Sequence, residues 1–183
     1  MREATQQAIV NSAMHLFAHT GYAHTSIRKI AAEAKISAGL MYHYYPSKEA
    51  LLSAVFEQSM RVIDGALEPI ILTTPPGRRM RPILDKIFDL LEKDPNFWQL
   101  FYTLRNQPAI MPILGDGFRM RTIALRQFFE GELIFLGHPS PRIQSHLIYV
   151  LIEGTIQQFL LEPKSYPLNE VVSGIYTLLE ETP

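Results

Sequence analysis

Cysteine is absent from the 183 residues, which excludes disulfides, thiolate metal sites, iron–sulfur clusters and a cysteine nucleophile. Net charge is nearly absent as well. The formal value is −1, so the chain as a whole is no polycation, and contact with nucleic acid must come from a local patch. Long apolar runs are also missing. The longest strongly apolar run, Leu147 to Ile152, falls far short of the roughly 18–20 residues of a membrane span. Residues 1–20 alternate polar and apolar positions with a helical period and form no secretory apolar core. There is no Gly-rich phosphate loop, no His-Glu-x-x-His pair and no Gly-x-Ser-x-Gly turn. The expectations are a soluble, cytoplasmic, non-enzymatic protein without a cofactor.

What is present is a folding composition, 47% apolar and 19% charged, in a chain long enough for one domain or a small module fused to a larger one. The apolar pattern is helical almost throughout. Ile9, Ala13, Leu16 and Phe17 make one stripe, ended by Gly21 in a left-handed cap. Ile27, Ile30, Ala31 and Ala34 make a second, with Thr25 expected as its N-cap. Ser37 caps a third short helix to about Tyr45, and Pro46 stops it. Ser47 opens a linking helix over about 47–67. Beyond the Thr73-Thr74-Pro75-Pro76-Gly77 linker, helices are expected near 83–94, 96–107, 118–136, 141–162 and 168–181, with 109–116 a short helix or turn. No segment sustains a period of two. The fold class is all-α, with nine or ten helices.

Residues 25–45 read as helix, three-residue turn, helix, the geometry of a DNA reader whose second helix enters a major groove. Ser37, Ala38 and Gly39 are small enough for close approach to base edges. Between residues 24 and 48, Arg28, Lys29, Lys35 and Lys48 face one acidic residue, Glu33. That is a local basic patch, although Lys29 and Lys35 read equally well as solvated charges. Tyr42, His43, Tyr44 and Lys48 can donate to phosphates.

The run Thr25-Ser26-Ile27-Arg28-Lys29-Ile30-Ala31-Ala32-Glu33-Ala34-Lys35-Ile36-Ser37-Ala38-Gly39-Leu40-Met41-Tyr42-His43-Tyr44-Tyr45-Pro46-Ser47-Lys48-Glu49-Ala50-Leu51 closely resembles the signature of TetR-family transcriptional regulators, and Leu16-Phe17-Ala18 with Gly21-Tyr22 match the preceding helix end. The family more often has Phe at the place of Tyr45, a packing variation. The resemblance implies a homodimer with a three-helix DNA-binding head, residues 1–46. It implies a larger helical domain, 47–183, for ligand binding and dimerisation. By carry-over, Arg28, Ser37, Ala38, Gly39 and Leu40 read base edges, while Thr25, Ser26, Tyr42, His43, Tyr44 and Lys48 clamp phosphates. The implied function is a repressor released from a palindromic operator by a small, mostly apolar effector. The alternative is a DNA-binding regulator whose second half only dimerises.

In that half, Trp98, Phe101, Tyr102 and Arg105 share one helix face. They are either a core stripe or, with Glu153 and Gln157, a pocket wall in which Arg105 admits an acid or a phosphorylated group. Leu147, Leu151, Thr155 and Phe159, with Val172, Ile175 and Leu179, belong to two helices apolar on more than one side. They are the dimerisation candidates, unless the core they form is wholly intramolecular. His15 and His19, four residues apart, could share a metal, but no acidic third ligand is near in sequence, and no metal site is expected.

Overall fold

The structure, a computed structural model, describes residues 2–180. The final position of the helix expected over 168–181 lies outside the described residues. Among those residues the chain forms nine α-helices and no strand: α1 (Arg2–Thr20), α2 (Ile27–Glu33), α3 (Ala38–Tyr44), α4 (Lys48–Thr73), α5 (Met80–Lys93), α6 (Pro95–Arg105), α7 (Met111–Phe135), α8 (Pro141–Leu161) and α9 (Leu168–Glu180).

Local chemistry sets most of these boundaries. Gly21 has φ +80° and donates its N–H to the Phe17 carbonyl, closing α1. Ser26, and not Thr25, caps α2: its hydroxyl accepts from the Lys29 amide at 3.2 Å. Thr25 is buried and bonds backwards, donating to the Gly21 carbonyl at 2.8 Å. Ser37 caps α3 through the Leu40 amide at 3.1 Å, and Ser47 accepts from the Ala50 amide at 3.1 Å. Tyr45 is extended, as a residue before proline must be.

Two helices run longer than their sequences suggest. The linking helix α4 continues past Pro69 to Thr73. Gly65 and Pro69 are exposed, so water can satisfy the Gly65 carbonyl that loses its helical donor. Residues 111–116 join 117–135 in one helix. Gly115 is buried inside this helix, and only the flexible side chain of Met111, one turn before it, comes within 4 Å of where a Cβ would stand. Pro112 sits in the first turn, where a missing N–H costs nothing.

The α2–α3 turn contains the only non-glycine residue with positive φ among those described, Lys35 at +57°. Its amide bonds to Ala32 O, and the Ile36 amide bonds to Ala31 O. This pair of bonds ends a helix in a left-handed residue, a position that favours glycine. Lys35→Gly is therefore expected to raise stability by about 1 kcal/mol, read as a higher urea midpoint. An unchanged or lowered midpoint would mean that Lys35 stores no strain.

The chain divides into two compact units, Met1–Asp64 with Asn96–Asp116, and Gly65–Pro95 with Gly117–Pro183. In the first, α2 packs against both α1 and α3. Its core is Ile9, Ala13, Phe17, Ile30, Ala31, Met41, Leu51 and Leu52, all 2% exposed or less. Val10 takes the buried place expected of Leu16, which is half-buried. Phe101 of α6 stacks on Phe56 of α4, with centroids 6.2 Å apart. In the second unit, Ile83, Leu84 and Leu91 of α5, Phe129 of α7 and Ile148 of α8 are fully buried. Tyr176 of α9 bonds the Asp85 carboxylate of α5, and the Arg81 guanidinium lies 4.6 Å from its ring centroid. Burial and the Asp85 carboxylate both push this phenol well above the ordinary tyrosine range, so it remains a protonated donor.

Candidate nucleic-acid interface

Met41 is the one fully buried residue of helix α3. With that side turned in, Gly39, Leu40, Tyr42 and His43 are exposed, Leu40 by 40% and Tyr42 by 54%, while Ala38 and Tyr44 are half-buried. Nothing lies within 4 Å of where a Gly39 Cβ would stand. The outward side of α3 thus combines bare backbone, one apolar side chain and two hydrogen-bonding rings. That composition suits contact with base edges and thymine methyls.

The charges around it are only partly neutralised. Arg28 is exposed on α2, and neither it nor Lys35 makes an ion pair among the described residues. Lys29 donates to the His24 carbonyl at 3.3 Å. The one acid of the patch, Glu33, turns towards His15 of α1, with the imidazole Nδ1 3.8 Å away. An unneutralised pair of cations beside an open recognition helix is the electrostatic footprint expected of a phosphate-binding surface.

A second cluster joins the α1–α2 turn to the start of α4. Lys48 Nζ sits 4.1 Å from the centre of the Tyr22 ring, and burial lowers the Lys48 pKa. The Tyr22 hydroxyl donates to Glu49 at 3.4 Å. Burial, with the neighbouring Glu49 charge, pushes the phenol up to about 12. Tyr22 is therefore a protonated platform that positions the lysine. Nothing in the sequence pattern marked it for this role beyond its place after Gly21.

Of the expected DNA-facing residues, Ser26, Arg28, Ser37, Gly39, Leu40, Tyr42 and His43 are exposed, Ala38, Tyr44 and Lys48 are half-buried, and Thr25 is buried. Thr25 is 2% exposed, and its hydroxyl is engaged with Gly21 and Leu16 carbonyls. Tyr45 is half-buried and bonds Gln6 of α1. His15 and His19 stack 4.3 Å apart. Among the described residues, no group of three potential ligands could hold a metal.

The pocket and dimer candidates are more scattered. Trp98, Phe101, Tyr102 and Arg105 lie on α6 in the first unit, with Trp98 and Tyr102 buried and Arg105 over the Tyr102 ring at 4.6 Å. Glu153 and Gln157 lie on α8 in the second unit, where Glu153 accepts from Tyr149 at 2.9 Å and Gln157 is exposed. Of the dimerisation candidates, Thr155, Phe159, Val172 and Ile175 are buried within their own unit. Leu151 and Leu179 are half-buried, and Leu147 is 52% exposed. The apolar face that α8 leaves open is Ile143, Leu147, Val150 and Leu161, from 52% to 73% exposed, with Gly154 among them. The spacing 143, 147, 150, 154 and 161 keeps these positions on one helical face, a subset that sequence apolarity alone did not separate from the core.

No helix among the described residues is long and apolar enough to cross a membrane. Residues 9–55 match the family described as bacterial regulatory proteins, tetR family. The Transposon Tn10 TetC protein of Escherichia coli is 29% identical over 114 residues, 62% of this chain and 54% of that protein. The chain thus matches about half the length of that relative. The fatty acid metabolism regulator protein of Bacillus subtilis (strain 168) is 29% identical over 93% of this chain and 91% of its own. Among solved structures, the transcriptional regulator FadR from Bacillus subtilis in complex with stearoyl-CoA superposes with a TM-score of 0.77 at 22% identity, covering 97% of this chain and 98% of that one.

Proposed function

We propose that the chain, whose residues 9–55 match the tetR family of bacterial regulatory proteins, is a cytoplasmic, homodimeric transcriptional repressor that binds a palindromic operator through residues 1–46. The observation that carries the reading is the outward side of α3 beside the unpaired Arg28. Arg28 and Ser37 to Leu40 read bases; Ser26, Tyr42, His43, Tyr44 and Lys48 hold phosphates. The role of Thr25 is to brace the turn beneath them, since its hydroxyl bonds inward. Residues 47–183 carry dimerisation and effector binding.

Dimerisation is supported by the open stripe of α8, because a soluble monomer rarely leaves such a continuous apolar face to water. A two-fold axis would pair the stripe with its own copy. Effector binding is supported by the sealed indole N–H of Trp98, which has no partner among the described residues. A buried donor of that kind takes a water or a polar atom of a bound molecule as its partner. The relatives named for fatty acid metabolism and for a stearoyl-CoA complex favour a long apolar effector with an anionic end. Its binding would release DNA only to the extent that it prefers the non-binding pose.

Two substitutions test the division of labour. Arg28→Ala is expected to relax preference at one base position, at a cost of roughly 1–3 kcal/mol there. Lys48→Ala is expected to weaken all sites alike and to flatten the salt dependence by about one contact. Binding isotherms across a panel of single-base operator variants distinguish them. Identical behaviour of the two variants across the panel would contradict the assigned roles.

A further inference from the structure

Helices α7 and α8 of the second unit are joined by a polar seam. Thr122 Oγ1 lies 2.9 Å from Tyr149 Oη, which donates to Glu153 Oε1 at 2.9 Å. One turn along each helix, Arg126 Nη1 faces the two ring nitrogens of His146 at 3.0 and 3.1 Å. The pairs 122–149 and 126–146 follow from two antiparallel helices whose i, i+4 and i, i+3 positions share a face.

The two ends of the seam differ. At the Thr122 end, each hydroxyl has a partner: the single Thr122 proton goes to Tyr149 Oη or to the Phe118 carbonyl, 3.1 Å away. At the Arg126 end, the charge is uncompensated. Arg126 is half-buried and makes no ion pair with Glu130, four residues on, or with any other carboxylate among the described residues. Its Nε is shut off from solvent without a hydrogen-bond partner. The imidazole opposite can accept through one nitrogen when neutral and through none when protonated. Arg142, one turn before His146 on α8, is exposed and likewise lacks an acidic partner.

A guanidinium withdrawn from water ordinarily recovers its solvation from a carboxylate. Here no acid among the described residues pairs with it, a second arginine, Arg142, stands one turn before His146 on α8, and the exposed His146 leaves the place open to solvent. We propose that Arg126, with His146 and Arg142, binds the anionic head group of an effector. The shared chemistry is a planar or tetrahedral oxyanion, a carboxylate or a phosphate, taken by the fork of the guanidinium. The inference rests on the reading of residues 47–183 as an effector domain, and it places the charged end of an effector on the second unit.

The test is calorimetric titration of the full chain, wild type and Arg126→Gln, with palmitate, palmitoyl-CoA and the neutral 1-hexadecanol. Arg126→Gln is expected to weaken at least one anionic probe by about tenfold or more and to leave hexadecanol unchanged. A loss confined to palmitate identifies a carboxylate site, and one confined to palmitoyl-CoA a phosphate site. Arg126→Lys keeps the charge and is expected to lose about threefold or less. His146→Gln, which leaves the arginine in place, gives a smaller loss of the same sign and serves if Arg126→Gln does not fold. The site is overturned if neither anionic probe binds the wild type, if both bind Arg126→Gln as tightly, or if hexadecanol weakens equally. Gel shifts on the same preparations separate the two claims: specific DNA binding without anion binding sinks the site and spares the regulator.

Discussion

Val150→Arg on α8 is expected to turn the proposed dimer into a monomer of 20.9 kDa and to abolish tight operator binding. Val150 is 62% exposed in the single chain, at the middle of the stripe formed by Ile143, Leu147, Gly154 and Leu161. An arginine there costs the folded monomer little, because it points into water. In a two-fold interface the same substitution appears twice, and the two guanidinium groups face each other across an apolar seam. Each would lose several kcal/mol of solvation without a counter-charge. The dimer dissociation constant should therefore rise by about a thousandfold or more. A single head reads only one half-site, so operator affinity falls with the dimer. Sedimentation velocity reads the first effect and gel shift the second. A variant that stays dimeric and binds DNA at full strength would place the pairing surface elsewhere.

Glu132→Ala carries the largest expected loss of stability. This glutamate is 4% exposed, a rare condition for a carboxylate. It accepts from the Gly77 amide at 2.7 Å and the Arg79 amide at 3.2 Å, and Arg79 Nη1 lies 3.6 Å away. Arg79 Nε in turn donates to the Thr74 carbonyl at 2.7 Å. Arg79 stands at the N-cap of α5 without a side-chain cap of its own, so Glu132 supplies from α7 the acceptor that the local sequence lacks. The carboxylate thereby ties the end of α4 and the start of α5 to α7. Removing it leaves two amides without an acceptor and a largely buried guanidinium without a counter-charge, at a cost of about 3–5 kcal/mol. At roughly 2–4 °C per kcal/mol for a chain of this size, Tm should drop by about 10 °C. Glu132→Gln keeps an acceptor but not the charge and should fall between. A Glu132→Ala protein melting within about 2 °C of the wild type would mean that the clasp carries no weight.

The contrast between these residues explains how far the sequence could be read. Elements set by local chemistry were legible: Ser37 and Ser47 as caps, Gly21 as a left-handed stop, Pro46 after α3, and the alternating stripes of α1 and α5. Neighbouring polar residues that differ only in tertiary surroundings were not. Thr25 and Ser26 both suit an N-cap, and burial of the threonine against the Gly21 carbonyl decides between them. Gly115 and Pro69 look like helix breaks in sequence, yet the first is buried inside α7 and the second exposed within α4. On α8 every apolar position looks alike in sequence, yet Thr155 and Phe159 turn inward while Ile143 and Val150 remain open. Glu132 and Arg126 sit in similar helical text and have opposite fates, one a buried acid with three donors and the other a half-buried base with no acid. Such long-range pairings, 53 and 55 residues apart in the Glu132 bonds, have no signature in local periodicity.

The central claim is that the outward side of α3 and the cations around it read DNA. The most direct measurement is binding of the purified protein to a labelled duplex from upstream of its own gene, at several salt concentrations, against a scrambled competitor. The expected result is sequence-specific binding whose affinity falls steeply with salt, with a log–log slope of roughly −4 to −5 for each head that holds four to six phosphates. No binding to any duplex even at low salt would contradict the claim.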